Sequence, residues 1–243
     1  TIGLYESLLG SDPSGKEGRP GSWPVLPDDR AKGKKPAGIS NEPLWKMRSG
    51  QAIDFSPDGK TLAVGGASGP ARLYDAFTGK ERLVCEGIKA HIYRVAFSPD
   101  GKRLAVADID NRLMICDVQT GKVVANAKFA KNEISGLVYS IKTGELLRST
   151  WSELIDVLDD ATAKRKESFH LASNVHTVDA LKFFSKGDRI AAVWTPKEGD
   201  KRHVTIWSWP ERVCLLSFEI PDYSVMNVAV AVSPNDKLIA MAM

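Results

Sequence analysis

Phe55-Ser56-Pro57-Asp58-Gly59-Lys60 returns as Phe97-Ser98-Pro99-Asp100-Gly101-Lys102, 42 residues further along. The same offset carries Asp75 onto Asp117 and Thr78-Gly79-Lys80 onto Thr120-Gly121-Lys122. The chain is therefore a tandem repeat, and a period of about 40 to 45 residues is a statement about architecture. A third copy keeps Tyr139, Asp159 and Lys164 in register but has Ser140-Ile141-Lys142-Thr143-Gly144 at the turn. A fourth sets Ala180-Leu181-Lys182-Phe183 against Arg94-Val95-Ala96-Phe97 and Val204 to Ser208 against Leu113 to Asp117, with a few extra residues between the two runs. A fifth opens at Ala229-Val230-Ala231-Val232-Ser233-Pro234-Asn235-Asp236-Lys237 and is half complete at Met243.

Within a unit, short runs of Val, Ile, Leu and Ala alternate with turn residues at a spacing that suits strands of about five residues. In the second copy these are Arg94 to Phe97, Arg103 to Ala107, Leu113 to Cys116 and Lys122 to Ala125. Pro presets φ at the second turn position and Gly supplies positive φ, which places turns at Pro99-Asp100-Gly101, Asp110-Asn111 and Gln119-Thr120-Gly121. Leu104-Ala105-Val106-Ala107 is apolar throughout and expects cover on both faces, as stacked sheets provide.

On these residues the stretch from about 50 to 243 resembles the WD-repeat family of β-propellers. The Ser-Pro-Asp-Gly-Lys turn precedes an apolar strand, and the next strand ends in an aromatic-Asp pair, Tyr74-Asp75. The resemblance implies an all-β fold of four-stranded antiparallel blades around a channel, with about four and a half blades visible. The blades would span about 50–90, 91–132, 133–174, 175–222 and, incomplete, 223–243. The family's Trp-Asp dipeptide is degraded to Tyr74-Asp75, Cys116-Asp117, Leu158-Asp159 and Trp207-Ser208, and its Gly-His pair is missing at Gly87-Ile88. The side-chain network built on that His and Trp cannot form in the usual way, while Asp110 matches the family's acidic turn position. An incomplete fifth blade leaves a raw sheet edge, so either more chain or another chain is expected to complete the circle. Pro43-Leu44-Trp45-Lys46-Met47 is a candidate ring-closing strand.

Residues 1–49 read as an extended arm: Gly10 to Ser40 is dense in Gly, Pro, Ser, Lys and Asp and has no period. Two apolar islands interrupt it, one holding Leu4 and Tyr5, the other Trp23, Val25 and Leu26. They are expected to dock, either on a partner or on this chain's own propeller. The basic run Arg30 to Lys35 reads as a solvated stretch.

With 33 Lys and Arg against 30 Asp and Glu, the net charge of +3 argues against nucleic acid as a partner. No apolar run approaches the length that crosses a bilayer, and the residues given contain no signal peptide. The compartment stays open, with the cytoplasm favoured over a periplasmic or other extracytoplasmic space reached by an upstream signal. Cys85, Cys116 and Cys214 lie far apart in sequence without metal-ligand spacing and read as buried free thiols.

No catalytic constellation emerges. His91, His170, His176 and His203 have no zinc spacing and fall in or near loops; phosphate-binding glycine loops and the Gly-x-Ser-x-Gly elbow are absent. Neither a metal nor a cofactor is expected. Among the innermost strands Ile53, Val95, Leu137, Leu181 and Val230 share one face, and Asp54, Ala96, Val138, Lys182 and Ala231 share the other. Asp54 and Lys182 are the only charged pair there, and they mark the channel mouth a lactonase-like enzyme or cofactor-binding relative would use.

Loops on a rigid scaffold favour recognition instead. If the family topology holds, one face collects His91, Asp108, Trp151, His176, Trp194, Lys197, Glu198, Lys201, Arg202 and Tyr223, with Thr195 to Arg202 protruding as a charged hairpin. Trp, Tyr and Arg anchor interfaces. The expected function is a non-catalytic protein-interaction scaffold or sensor module in a larger protein or complex. The alternatives are the channel-mouth enzyme and a structural subunit whose arm threads into its neighbours.

Overall fold

The computed structural model describes residues 2–6, 52–67, 69–88, 90–129, 134–199, 201–220 and 228–242. The chain is all-β there, and each sequence repeat becomes one antiparallel sheet in strand order. The first blade comprises β2 (Ala52–Phe55), β3 (Thr61–Gly65), β4 (Arg72–Asp75) and β5 (Glu81–Val84). The second has β6 (Ile92–Phe97), β7 (Arg103–Asp108), β8 (Arg112–Asp117) and β9 (Val123–Lys128), each one or two residues longer or shifted relative to the turn-based expectation. The third has β10 (Ile134–Tyr139), β11 (Leu146–Thr150), β12 (Leu154–Leu158) and β13 (Arg165–His170). The fourth has β14 (Val175–Phe183), β15 (Arg189–Pro196), β16 (Arg202–Ser208) and β17 (Cys214–Ile220).

The fifth blade departs from this pattern. β18 (Ala229–Val232) and β19 (Leu238–Ala242) pair in sequence order, and the third strand is β1 (Ile2–Glu6), whose backbone runs antiparallel to β19 with Ile2 opposite Ala242 and Glu6 opposite Leu238. The backbone that carries Leu4 and Tyr5 thus pairs with the fifth blade. The second island, with Trp23, Val25 and Leu26, and the ring-closing candidate around Trp45 lie outside the described residues.

The repeated turns repeat their hydrogen bonds. After the first strand of the first two blades a Ser hydroxyl accepts the amide five residues on, Thr61 N–H to Ser56 Oγ and Arg103 N–H to Ser98 Oγ, both at 2.9 Å. The Asp two residues beyond that Ser accepts the hydroxyl in return, at 2.6 Å for Asp58 and 2.7 Å for Asp100. Gly59 and Gly101 each hold φ at 69°, the left-handed value for which the sequence keeps glycine. In the first three blades an Asp at or just past the end of the third strand closes the next turn: Asp75 accepts Thr78 N–H at 2.8 Å, Asp117 accepts Thr120 N–H at 2.8 Å, and Asp159 accepts Thr162 N–H at 2.9 Å. The second residue of the degraded dipeptide therefore works as a turn cap, whatever precedes it.

Packing between blades follows from strand alternation. Val95 and Phe97 point back at the first blade and join Ala63, Leu73 and Cys85 in one core; Ala96 points forward and shares the next core with Leu137, Tyr139 and Leu146. Leu181, Phe183 and Ile190 meet Leu147, Ile155 and Val157 in a third core, and Ile239 and Met241 meet Ala191, Val193 and Ile206 in a fourth. Small residues on one blade thus receive large ones from the next. Each fully buried Val, Leu, Ile or Phe contributes about 1.5–3 kcal/mol of transfer free energy.

The same alternation orients the innermost strands. Ile53, Val95, Leu137 and Leu181 lie on the face turned to the preceding blade, and three of the four are buried. Ile53 is 64% exposed and Phe55 56%, against 7% and 5% for Val95 and Phe97 in the same register. The first blade has no preceding blade among the described residues, and the arc of sheets does not close into a ring there.

Candidate functional site

Two regions carry the polar groups that the sequence singled out: the face formed by the loops before the first strand and between the second and third strands, and the channel lined by the innermost strands.

On the loop face, Asp108 is not available as a contact. It is 1% exposed and accepts Asp110 N–H, Arg112 N–H and Arg112 Nε–H, each at 3.0 Å, so it fixes the β7–β8 turn. Asp110, expected at the acidic turn position, is exposed and bonds Arg112 Nη2 at 2.5 Å. The buried capping role therefore belongs to Asp108. Trp194 is likewise buried, at 4% exposure, in the core between the third and fourth blades. It stacks on His203 with ring centroids 4.4 Å apart and planes 12° from parallel. A Trp in mid-strand packs inward when alternation turns it to the core, and β15 turns it so. His203 lies within β16 and His176 within β14, not in loops.

Trp151, His176, Lys197, Glu198 and Lys201 are exposed, and His91 and Arg202 half-buried. Tyr223 lies outside the described residues. His91 packs on Tyr93 with ring centroids 4.8 Å apart and planes tilted by 41°, and its carbonyl accepts Ile109 N–H at 2.9 Å, joining two loops of the second blade. Across the seam of the third and fourth blades, Lys197 Nζ donates to Glu153 Oε2 at 2.6 Å, with His170 Nδ1 3.9 Å from the same carboxylate. The Lys197 hydrogen bond holds the Glu153 carboxyl below its ordinary value. Lys197 N–H also donates to the Asn174 carbonyl at 2.7 Å. The Lys197–Gly199 turn is thereby tied at its root while its side chains stay exposed. Trp151, 52% exposed two residues before Glu153, completes a mixed aromatic and charged seam. Arg202 reaches inward, its Nε 3.3 Å from Asp179 Oδ2, a carboxylate that also accepts the Thr177 and Thr195 hydroxyls at 2.9 Å.

The channel is a cavity of about 1120 Å³ bordered by all five innermost strands. Asp54 and Lys182 both line it, as do Arg94 and Ser135. Asp54 Oδ2 accepts Phe97 N–H from the second blade at 2.8 Å. Burial pushes its carboxyl up, against the opposing pull of that amide and of Lys182. Arg94 spends its Nε on the Ser135 carbonyl at 2.8 Å. Asp54 and Arg94 thus stitch neighbouring blades together. No cluster of three or more His, Cys, Asp or Glu with metal-holding geometry occurs among the described residues, and no helix there is long and apolar enough to cross a membrane.

Sequence reading missed one buried feature. Arg148 and Asp156 stand inside the packing between the second and third blades, in register with Val106 and Met114. Arg148 donates to Asp156 Oδ2 from Nη2 at 2.5 Å and from Nε at 3.1 Å, and its guanidinium lies 3.6 Å from the centre of the Phe129 ring. Ser168 Oγ adds a 2.6 Å bond to Asp156 Oδ1. Two opposite charges at positions that are apolar one repeat earlier were the available signal. Of the three cysteines expected to be buried, Cys85 and Cys116 are, in one core, whereas Cys214 is exposed on an outer strand.

Residues 84–142 match the family described as the anaphase-promoting complex subunit 4 WD40 domain. Among curated proteins no sequence relative matches. The solved structure of hydrazine synthase from Kuenenia stuttgartiensis superposes with a TM-score of 0.68 at 21% identity, over 84% of this chain and 58% of that one, a likeness of fold. With its 42-residue repeats and four-stranded antiparallel blades the chain has an all-β, β-propeller-type fold, and over residues 84–142 it is similar to a WD40 domain family.

Proposed function

We propose that the chain is a non-catalytic protein-interaction module, a scaffold or sensor held within a larger protein or complex. The observation that carries the reading is the uncovered face of the first blade. Ile53 and Phe55 are exposed where the equivalent pairs of the next three blades are buried against a neighbour. Covering two such side chains is worth about 3–6 kcal/mol, a contribution left unclaimed within this arc. The seam of Trp151, Glu153 and Lys197 supplies the second contact surface. Its loops are fixed by inter-blade hydrogen bonds, so little ordering entropy is lost on association. The channel does not favour the enzyme alternative, because Asp54 and Arg94 already serve backbone groups of neighbouring blades.

The exposed sheet face also supports the structural-subunit reading, in which a neighbour seals the propeller edge. Native mass spectrometry of the gently purified chain tests both. A companion that is lost on Ile53→Ser/Phe55→Ser but kept on Trp151→Ala/Lys201→Glu identifies a sealing subunit. The opposite pattern identifies a partner recruited by the loop face. A bare monomer for the parent and for every variant, with an unchanged melting temperature, refutes the interaction role.

A further inference from the structure

We propose that Cys85 and Cys116 are a redox-convertible pair whose disulfide ties the first blade to the second. The two residues come from different repeats: Cys85 follows β5, the outer strand of the first blade, and Cys116 lies near the end of β8 in the second. Both are fully buried in the core those blades share. Backbone contacts bring the segments together: Glu86 N–H donates to the Gly121 carbonyl at 3.0 Å, and a Cβ on Gly121 would lie 2.4 Å from the Val84 carbonyl oxygen. The repeat gives independent support. The register equivalents at the next seam, Ala127 and Leu158, share the second core, and those after it, Phe169 and Trp207, share the third. This position pair falls in one shared core at each of these three seams, and only the first carries sulfur at both places.

In the core they share, the neighbouring thiol draws Cys85 below the ordinary thiol value and pushes Cys116 above it. With a peroxide as oxidant, the Cys85 sulfur takes one oxygen, forming a sulfenic acid and releasing water. The Cys116 sulfur then displaces that hydroxyl as a second water, so two thiols and one hydrogen peroxide give one disulfide and two waters. The core shields both groups, so the reaction runs at the rate at which peroxide penetrates the seam. The bond closes a loop of about 30 residues, which restricts the unfolded chain and not the native one.

The test uses the full chain with Cys214→Ser, which removes the exposed thiol. The folded protein is treated with hydrogen peroxide, quenched, unfolded in N-ethylmaleimide and digested without reductant. The expected result is a Cys85–Cys116 linked peptide pair lighter by two hydrogens. A melting temperature raised by about 5–10 °C should accompany it, reversed by reduction and absent in Cys85→Ser. Recovery of both residues as maleimide adducts or as sulfinic acids overturns the proposal, as does a linkage that lowers the melting temperature. The mass readout is made on native cysteines, so it stands even if Cys85→Ser folds poorly.

Discussion

Replacing Arg148 by Val and, separately, Asp156 by Met should each cost about 3–5 kcal/mol of stability, whereas Arg148→Val with Asp156→Met together should fall within about 1 kcal/mol of the parent or exceed it. The pair is nearly sealed from water, its side chains 6% and 3% exposed. At about 3 Å and an effective dielectric near 20, the attraction is roughly 5–6 kcal/mol. Removing both ions from water costs several kcal/mol each, so the intact pair nets close to zero. A single replacement keeps the desolvation cost and loses the attraction. Asp156 then retains only the Ser168 hydroxyl and Arg165, 3.7 Å away and itself largely exposed. The double variant installs the residues that the second blade already carries in register, Val106 and Met114, both buried in a well-packed seam. It forfeits the Phe129 stack on the guanidinium, a term of about 0.5–2 kcal/mol. Urea unfolding with a common m value measures all four proteins. Additive losses, with the double variant as unstable as the sum of the singles, refute the argument that the charges are valuable only to each other.

Tyr139→Phe should leave stability unchanged or raise it by about 1 kcal/mol, because the hydroxyl is buried without a hydrogen-bond partner and Phe97 fills the same register position in the preceding repeat; a thermal melt in which the variant loses stability counts against this. Gly121→Ala should destabilise by about 2 kcal/mol or more, since φ is 72° and the added Cβ meets the Val84 carbonyl, a backbone atom that cannot swing away; wild-type unfolding behaviour would show that the β5 segment yields. For Asp54 the fold raises the carboxyl above its ordinary 3.8, so its stabilising contribution is complete below that value and is lost as pH rises through the elevated native one. Relative to Asp54→Asn, the parent should therefore lose stability between about pH 4 and neutrality, and parallel stability–pH curves would exclude the effect. Asp75 has the opposite sign: its turn holds it down to about 2, so its contribution is present above 3.8 and disappears as pH falls toward 2. Acid titration followed by circular dichroism should show Asp75→Asn flattening that limb.

The blades were legible because their determinants are local and repeated. Ser56-Pro57-Asp58-Gly59 and Asp75 with Thr78 write their own hydrogen bonds within six residues, and a 42-residue offset then transfers each to the next unit. What stayed hidden depends on partners distant in sequence. Trp194 reads as an interface anchor by type, but the alternation of β15 turns it into the core against His203. Asp108 and Asp110 are two residues apart and chemically alike; only the depth of the turn makes the first a cap and the second a surface group. The seam of Glu153 with Lys197 joins loops of different blades, which no single repeat specifies. β1 lies outside the periodic region altogether, so no register argument reached it.

β1 also gives the chain a particular mechanical character. Because Ile2 sits opposite Ala242 in an antiparallel ladder, tension applied at those two residues pulls on the same end of the paired strands. The five facing residue pairs then separate in succession, as a zipper opens, and never share the load as they would in shear. The fifth blade should release β1 at low force and in small steps, while the first four blades, each strand of which is continuous with its neighbours through short turns, stay intact behind it.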